Sequence, residues 1–250
     1  MKSAIKKLLK AVYKFCISQT TGRFDKYLIS PDIAMAQIAS HSQALGYLAK
    51  QFNKPGMKIL EIGSREVTGP SKARTMFSQA KYTGFDYYPG PNVDIVGDVH
   101  KLTSYFTQGK QFDLIYSSAC FEHFAMPWIA SQEIVKLLKV GGQVFVETHF
   151  SYVSHERPWH FFQFSDMALK VLFPEEAGIR CVEAGMSNPM IGRFSALADE
   201  SLRYTRVGDL FCHSGFLGEK VREVPNFSYQ QVKLENLVHG TEYPKPVDMA

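Results

Sequence analysis

The spacing of hydrophobic residues changes twice along the chain. Ile5, Leu8, Leu9, Val12 and Cys16 recur at helical intervals, with Lys6, Lys7, Lys10 and Lys14 on the remaining face, so residues 1–17 predict a basic amphipathic helix. Residues 31–52 keep the three-and-four spacing behind Pro31 and Asp32, a capping pair, and predict a second helix that Asn53 to Gly56 end. From Met57 the period shortens. MKILEIG, YTGFDYY, VDIVGD, FDLIYSSA and GQVFVETHF read as five strands. Between them lie a helix from Pro70 to Gln79, a helical turn near Leu102 to Phe106 and an amphipathic helix from Pro127 to Lys139. Strands alternating with helices predict an α/β fold: a doubly wound, mostly parallel sheet, seven-stranded once the C-terminal third is added, with helices on both faces. In that third, Ser165 caps a helix DMALKVLF that Pro174 ends, and IRCVEAG and LFCHSGFLGEKVREV supply the final strands. The expected division is N-terminal helices over 1–52, acting as a lid or a membrane-surface element, the α/β domain over 53–225, and an irregular tail over 226–250.

Composition narrows the partners. With 250 residues, 45% of them hydrophobic, the chain can bury one good core. The net charge of +4 is spread out except near the N-terminus, so no nucleic-acid partner is expected. Cys16, Cys120, Cys181 and Cys212 lie far apart, with no CxxC pair, which suits a reducing compartment and gives no zinc signature. No metal is expected. No apolar run approaches the roughly 20 residues of a membrane span, and the early lysines interrupt the apolar core a signal peptide requires. A cytoplasmic protein is the expectation, peripheral to the membrane if residues 1–17 lie on an anionic surface. The same helix packed over the main domain with a solvated lysine face is the favoured alternative.

The loop after the first strand, EIGSREVTGP, keeps Gly63 and Gly69 but has Arg65, Glu66 and Val67 where a dinucleotide loop would carry further glycine. Without that glycine the backbone cannot approach a pyrophosphate, and no Gly-Lys-Ser/Thr ending marks a phosphate loop. A nucleoside free of phosphate suits it better. Asp86 ends the second strand, where a carboxylate accepts from both ribose hydroxyls, and Asp98 ends the third, where it can accept from an adenine amino group. Glu61, at the end of the first strand, can face a charged amino-acid moiety. Three acidic residues at successive strand ends suit a cation carrying a sulfonium and an ammonium.

These stretches, together with EIVKLLKVGGQVFVETHF and RPWHFFQFSDMALKVLF, resemble the class I S-adenosylmethionine-dependent methyltransferases, in particular bacterial methyltransferase domains that modify small molecules and glycans. The resemblance runs from about Lys58 to Leu172. It implies a Rossmann-like fold and S-adenosylmethionine as cofactor, with S-adenosylhomocysteine as product. By it, Glu61, Gly63 and Ser64 hold the methionine part, Asp86 the ribose, and Asp98 with the Val99 backbone the adenine. Ser117 or Ser118 lines the end of the fourth strand, and Tyr87 packs against adenine or ribose. Two departures stand out: Arg65 and Val67 replace family glycines, and Val140 replaces the usual proline before Gly141-Gly142. Arg65 and Glu66 are expected to point away from the cofactor.

Methylating a hydroxyl also requires removal of its proton, for which a histidine is the usual base. His123, His149, His155 and His160 cluster after the fourth and fifth strands, and His149 and His155 are the first choices. Glu122 reads as structural, and Glu147, His149 and His155 lack a recognised zinc spacing. Phe150, Tyr152, Trp159 and Phe161 offer an aromatic platform for a sugar or apolar acceptor. The expected activity is O-methylation of a small molecule or saccharide. Nitrogen or carbon methylation in cofactor or natural-product synthesis, and a non-catalytic binding protein of the same fold, are the alternatives.

Overall fold

The computed structural model describes residues 2–20, 24–67 and 69–237. Seven strands form one sheet: β1 (Lys58–Ile62), β2 (Lys81–Asp86), β3 (Ile95–Val96), β4 (Phe112–Ser118), β5 (Leu138–His149), β6 (Ile179–Arg193) and β7 (Arg206–Lys220). Their order is β3-β2-β1-β4-β5-β7-β6; β1 to β5 are parallel, and β7 enters antiparallel between β5 and β6. The predicted sheet is therefore present, and its two last strands form a long hairpin. The six α-helices among the described residues are α1 (Lys2–Thr20), α2 (Ala44–Phe52), α3 (Ala73–Met76), α4 (Pro127–Leu137), α5 (Asp166–Leu172) and α6 (Leu234–Leu237).

Strand alternation sorts the apolar residues to two faces. Leu60, Ile62, Ile115, Val144, Val146 and Phe216 pack with Ile134 of α4 and Leu169 of α5. On the other face Ile59, Leu114, Tyr116, Phe145 and Leu217 meet Leu48 and Phe52 of α2, with Ala73 and Phe77. Each of these large side chains, once fully buried, contributes roughly 1.5–3 kcal/mol. Pro127 opens α4, and the buried Lys220 ammonium closes it, donating to the carbonyls of Val135 and Leu138 at 2.9 and 2.8 Å. Ser165 caps α5 as predicted, accepting from the Ala168 amide at 3.1 Å.

Two helix predictions are shortened. The helix expected over 31–52 begins only at Ala44, because residues 34–39 bond to the β6–β7 hairpin instead. Ala36 N donates to Met186 O, Met186 N to Ala34 O, and the Glu183 carboxylate receives the amides of Gln37 and Ala39. Tertiary hydrogen bonds here override local helical spacing. Gly215 makes the close approach possible, since a Cβ there would collide with the Ala39 carbonyl. The second part of 1–52 is thus core, with Ala36, Ala39, Ala44, Leu48 and Phe52 buried. The helix expected over 70–79 is a single turn, its flanks taken by bonds from the Ser71 amide to Glu66 and from the Gln79 amide to Asn53. The helical turn expected at 102–106 forms three residues earlier, as a 3-10 helix over Val99–Tyr105. Helix α1 is present, but Ile5, Leu8, Leu9 and Val12 are 51–65% exposed, so its apolar face does not pack over the domain as the favoured alternative held. The tail is less irregular than expected: Ser228 and Gln231 form a capping box, and the Tyr229 hydroxyl donates to Leu172 O at 2.7 Å. Residues 238–250 of the tail lie outside the described residues.

Candidate active site

The carboxyl ends of β1, β2 and β3 carry the residues expected to hold a nucleoside. Gly63 takes φ +82°, and a Cβ there would press on the Cys120 side chain, so the turn out of β1 needs glycine. The amides of Gly63 and Ser64 both donate to the Phe85 carbonyl, at 2.9 and 3.2 Å, locking the loop to β2. Ser64 is buried; its hydroxyl donates to Asn92 O at 3.0 Å, and the Asn92 side chain returns a bond to Ser64 O at 3.0 Å. Asn92 also donates to the Tyr82 hydroxyl at 2.9 Å. Tyr82 and Tyr116 in turn donate to Glu61, the latter at 2.7 Å. Burial pushes the Glu61 carboxyl above its usual range, against the opposing effect of those hydroxyls. Glu61 is thus enclosed at the base of a polar chain that ends in the loop.

Asp86 is half-buried at the end of β2, and Arg65 binds it. The Arg65 amide donates to Oδ2 at 3.2 Å and its Nε to Oδ1 at 3.3 Å, while Tyr88 N reaches Oδ1 at 3.0 Å. Asp98 accepts from the amide and ring nitrogen of His100, at 2.9 and 2.7 Å, both on Oδ1. It also caps the 3-10 helix, so the helix-cap and ligand readings of this residue coexist. Desolvation would raise its carboxyl, yet the two bonds from His100 outweigh it and hold the group below the usual range. Val99 is buried beneath this turn. Tyr87 is about half exposed and lies 5.7 Å, centre to centre, from Trp159, joining the end of β2 to the connection after β5.

The ends of β4, β5 and β7 carry a different chemistry. Ser117 is buried with its hydroxyl unpartnered, and Ser118 donates to Glu147 Oε2 at 2.7 Å. Glu122 is fully buried. Thr148 donates to its Oε2 at 2.6 Å, and His149 Nδ1 stands 2.6 Å from Oε1, off the line that a hydrogen bond requires. Desolvation opposes ionisation of Glu122, but His149 and Thr148 prevail and lower it. The His149 ring stacks on Tyr152 at 4.2 Å, and His155 lies 5.4 Å from His149, 5.0 Å from His123 and 4.6 Å from His160. His155 Nδ1 is bonded to Val153 O at 2.9 Å. The two expected base candidates are therefore neighbours, and Glu122, read from sequence as structural, stands against one of them.

Residues 35–183, more than half of the chain, match the profile of the family described as Methyltransferase domain. The chain belongs to that family. It is a class I S-adenosylmethionine-dependent methyltransferase, with S-adenosylmethionine as its cofactor. No curated protein matches the methyltransferase in sequence. Among solved structures it is similar to the 1,6-didemethyltoxoflavin-N1-methyltransferase of Burkholderia thailandensis, bound to 1,6-didemethyltoxoflavin and S-adenosylhomocysteine. That likeness has 14% identity and a TM-score of 0.50, over 87% of this chain and 90% of the other. The N-methyltransferase NodS of Bradyrhizobium japonicum, in complex with S-adenosyl-L-homocysteine, is 16% identical with a TM-score of 0.47, over 72% and 85%. TehB of Haemophilus influenzae is 17% identical with a TM-score of 0.47; the match covers 74% of this chain and 63% of TehB. At such identities the likeness is one of fold.

Sequence reasoning missed Asn92, Tyr82 and Tyr116, which brace the methyltransferase's loop, and His41 and His213, which approach Glu147 from the two ends of the chain. Asn92 had a legible signal, a Pro-Asn pair in the turn after β2. The two histidines had none.

Proposed function

We propose that the enzyme methylates an oxygen atom of a small molecule or saccharide, with His155 as the proton acceptor. The observation that carries this reading is the 2.9 Å bond from His155 Nδ1 to the Val153 carbonyl. A carbonyl only accepts, so Nδ1 holds the hydrogen and Nε2 of the neutral ring keeps its lone pair for a base. Both acceptors release a proton on methylation, but a neutral amine can attack before it does so, whereas a weakly nucleophilic hydroxyl must lose its proton as it becomes an ether. A poised imidazole therefore favours oxygen. His149, held against buried Glu122, fixes one wall of this mouth, and half-exposed Tyr152, Trp159 and Phe161 offer apolar faces on which a sugar ring can lie.

The strand ends fit the cofactor. A carboxylate has about four lone-pair positions, so Asp86 can serve the ribose while keeping Arg65, and Asp98 keeps Oδ2 for an adenine amino group. The orphaned Ser117 hydroxyl supplies a further buried polar atom at the end of β4. On this reading Glu61, Gly63 and Ser64 form the methionine end, and Tyr87 and Val99 flank the adenine. Bound, S-adenosylmethionine supplies an already activated methyl group, so the residues mainly hold the acceptor in line and exclude water.

The test is incubation with S-adenosylmethionine and a panel of hydroxyl-bearing sugars and phenols, with products read by mass spectrometry and NMR. A methyl ether whose formation His155→Ala suppresses is expected; a product methylated on nitrogen would sink the reading. Helix α1, with its exposed apolar row opposite lysines, suits an anionic lipid surface, and co-sedimentation with anionic but not neutral vesicles is expected. Among the described residues no helix is long and apolar enough to cross a membrane.

A further inference from the structure

Beyond the strand ends assigned above, one cluster brings together groups from three distant parts of the chain. Glu147 sits on β5 and is 2% exposed. Its Oε2 lies 3.1 Å from His41 Nδ1, and its Oε1 lies 3.6 Å from His213 Nε2. Oε1 is buried with no hydrogen-bond partner, although it faces the imidazole of His213. The rings of His41 and His213 stack at 4.3 Å with 13° between their planes, so both present nitrogen edges to one carboxylate. Cys212 Sγ lies a further 3.6 Å from His213 Nε2.

We infer that His41, Glu147 and His213 form a binding site for a divalent transition metal of the zinc class, with the Cys212 thiol beside the fourth position. Two imidazoles and a carboxylate are a donor set of that class, whereas magnesium and calcium prefer oxygen. The three ligand atoms lie within 4.8 Å of one another. Tetrahedral bonds of about 2.0–2.1 Å place ligand atoms roughly 3.3 Å apart; each imidazole faces its own oxygen of the carboxylate, His41 Nδ1 at 3.1 Å from Oε2 and His213 Nε2 at 3.6 Å from Oε1, so an ion between the rings can take either oxygen after a small shift. A buried carboxylate oxygen left without a donor is the condition that a cation relieves. His41 is half exposed, which gives an ion a route from solvent, while Glu147 and His213 lie on neighbouring strands in fixed register. The ion would tie the segment before α2 to the sheet edge, beside His149, whose ring centre is 5.4 Å from that of His213. A separate grouping of Glu122, His123 and His155 also has suitable ligand types. There the nearest imidazole to Glu122 is His149, which is not of that group, and His123 stands 4.0 Å away, whereas both imidazoles of the first cluster face its own carboxylate, so the first cluster is the better site.

The experiment uses the full chain, stripped with chelator and titrated with Zn2+ by calorimetry and with Co2+ by visible absorption, without S-adenosylmethionine. The outcome is therefore independent of the acceptor. One equivalent of metal and the intense d–d bands of a tetrahedral cobalt site are expected. His41→Ala, at a half-exposed position outside the sheet, should keep the metal-free melting temperature and weaken binding more than tenfold; Glu147→Gln should do the same or more. No stoichiometric binding would overturn the site. So would binding that survives His41→Ala and is lost in His155→Ala, which would put the ion at the other cluster.

Discussion

The two ends of the sheet's carboxyl edge solve the problem of buried charge in opposite ways. At β1 to β3 each carboxylate has a partner within about two dozen residues of the chain, Tyr82 for Glu61, Arg65 for Asp86 and His100 for Asp98, although Glu61 also accepts from Tyr116 on β4. At β4, β5 and β7 the partners are remote: Glu147 meets Ser118, His41 and His213, and its geometry depends on the whole fold. On the reading proposed above, the cofactor's side is built from local turns that set their own hydrogen bonds. On the same reading the acceptor's side is assembled from long-range contacts, where one changed segment alters the pocket without disturbing the rest.

Substitutions in each half should therefore separate cleanly. The largest effect is expected for His155→Ala, which should lower kcat about 10²- to 10⁴-fold with cofactor affinity unchanged, as removal of a general base does. Single-turnover rates and calorimetric titration with S-adenosylhomocysteine read the two halves independently. A matching loss of cofactor affinity would break the division. Next in size is Asp86→Ala. It removes a carboxylate that also anchors the Arg65 amide, and cofactor binding should weaken by about 1.5–3 kcal/mol, roughly tenfold to a hundredfold. An unchanged Kd would mean that the ribose does not rest on the end of β2.

That contrast also explains what was legible in the sequence. The strands of the parallel sheet and Ser165 as a cap were readable because each depends on local spacing, and the β1 and β2 ends followed from them. The helix expected to start at Pro31 was misread because amides at Ala36, Gln37 and Ala39 find acceptors on Met186 and Glu183, about 150 residues away. His41 and His213 were invisible as partners of Glu147 for the same reason, since no spacing rule connects 41, 147 and 213. What the sequence did not show is that Arg65, standing where a family glycine is usual, binds Asp86 through both its amide and its guanidinium and so helps to organise the loop.

A smaller effect tests the bridge between the halves. Tyr87 and Trp159 touch across the mouth, one from each side. Trp159→Ala should raise the acceptor KM by about two- to tenfold, in keeping with the 0.5–1.5 kcal/mol of an aromatic pair, and leave the cofactor Kd within about twofold. A larger change in cofactor affinity than in KM would assign the indole to the nucleoside side.

The smallest effect concerns Glu61, where burial has its clearest cost. Its carboxyl is raised in the folded protein, chiefly by desolvation, so folding favours the protonated form. That preference stabilises the protein fully below the unfolded carboxyl range, near pH 4.3, and is lost as pH rises through the raised folded value. Glu61→Gln is neutral at every pH and cannot lose it. Without cofactor, its stability relative to the parent should therefore improve as pH rises from about 4.5 to about 8. Melting curves of both proteins at the two pH values measure the difference. A constant difference would mean that the hydroxyls of Tyr82 and Tyr116 fully offset the desolvation of an ionised Glu61.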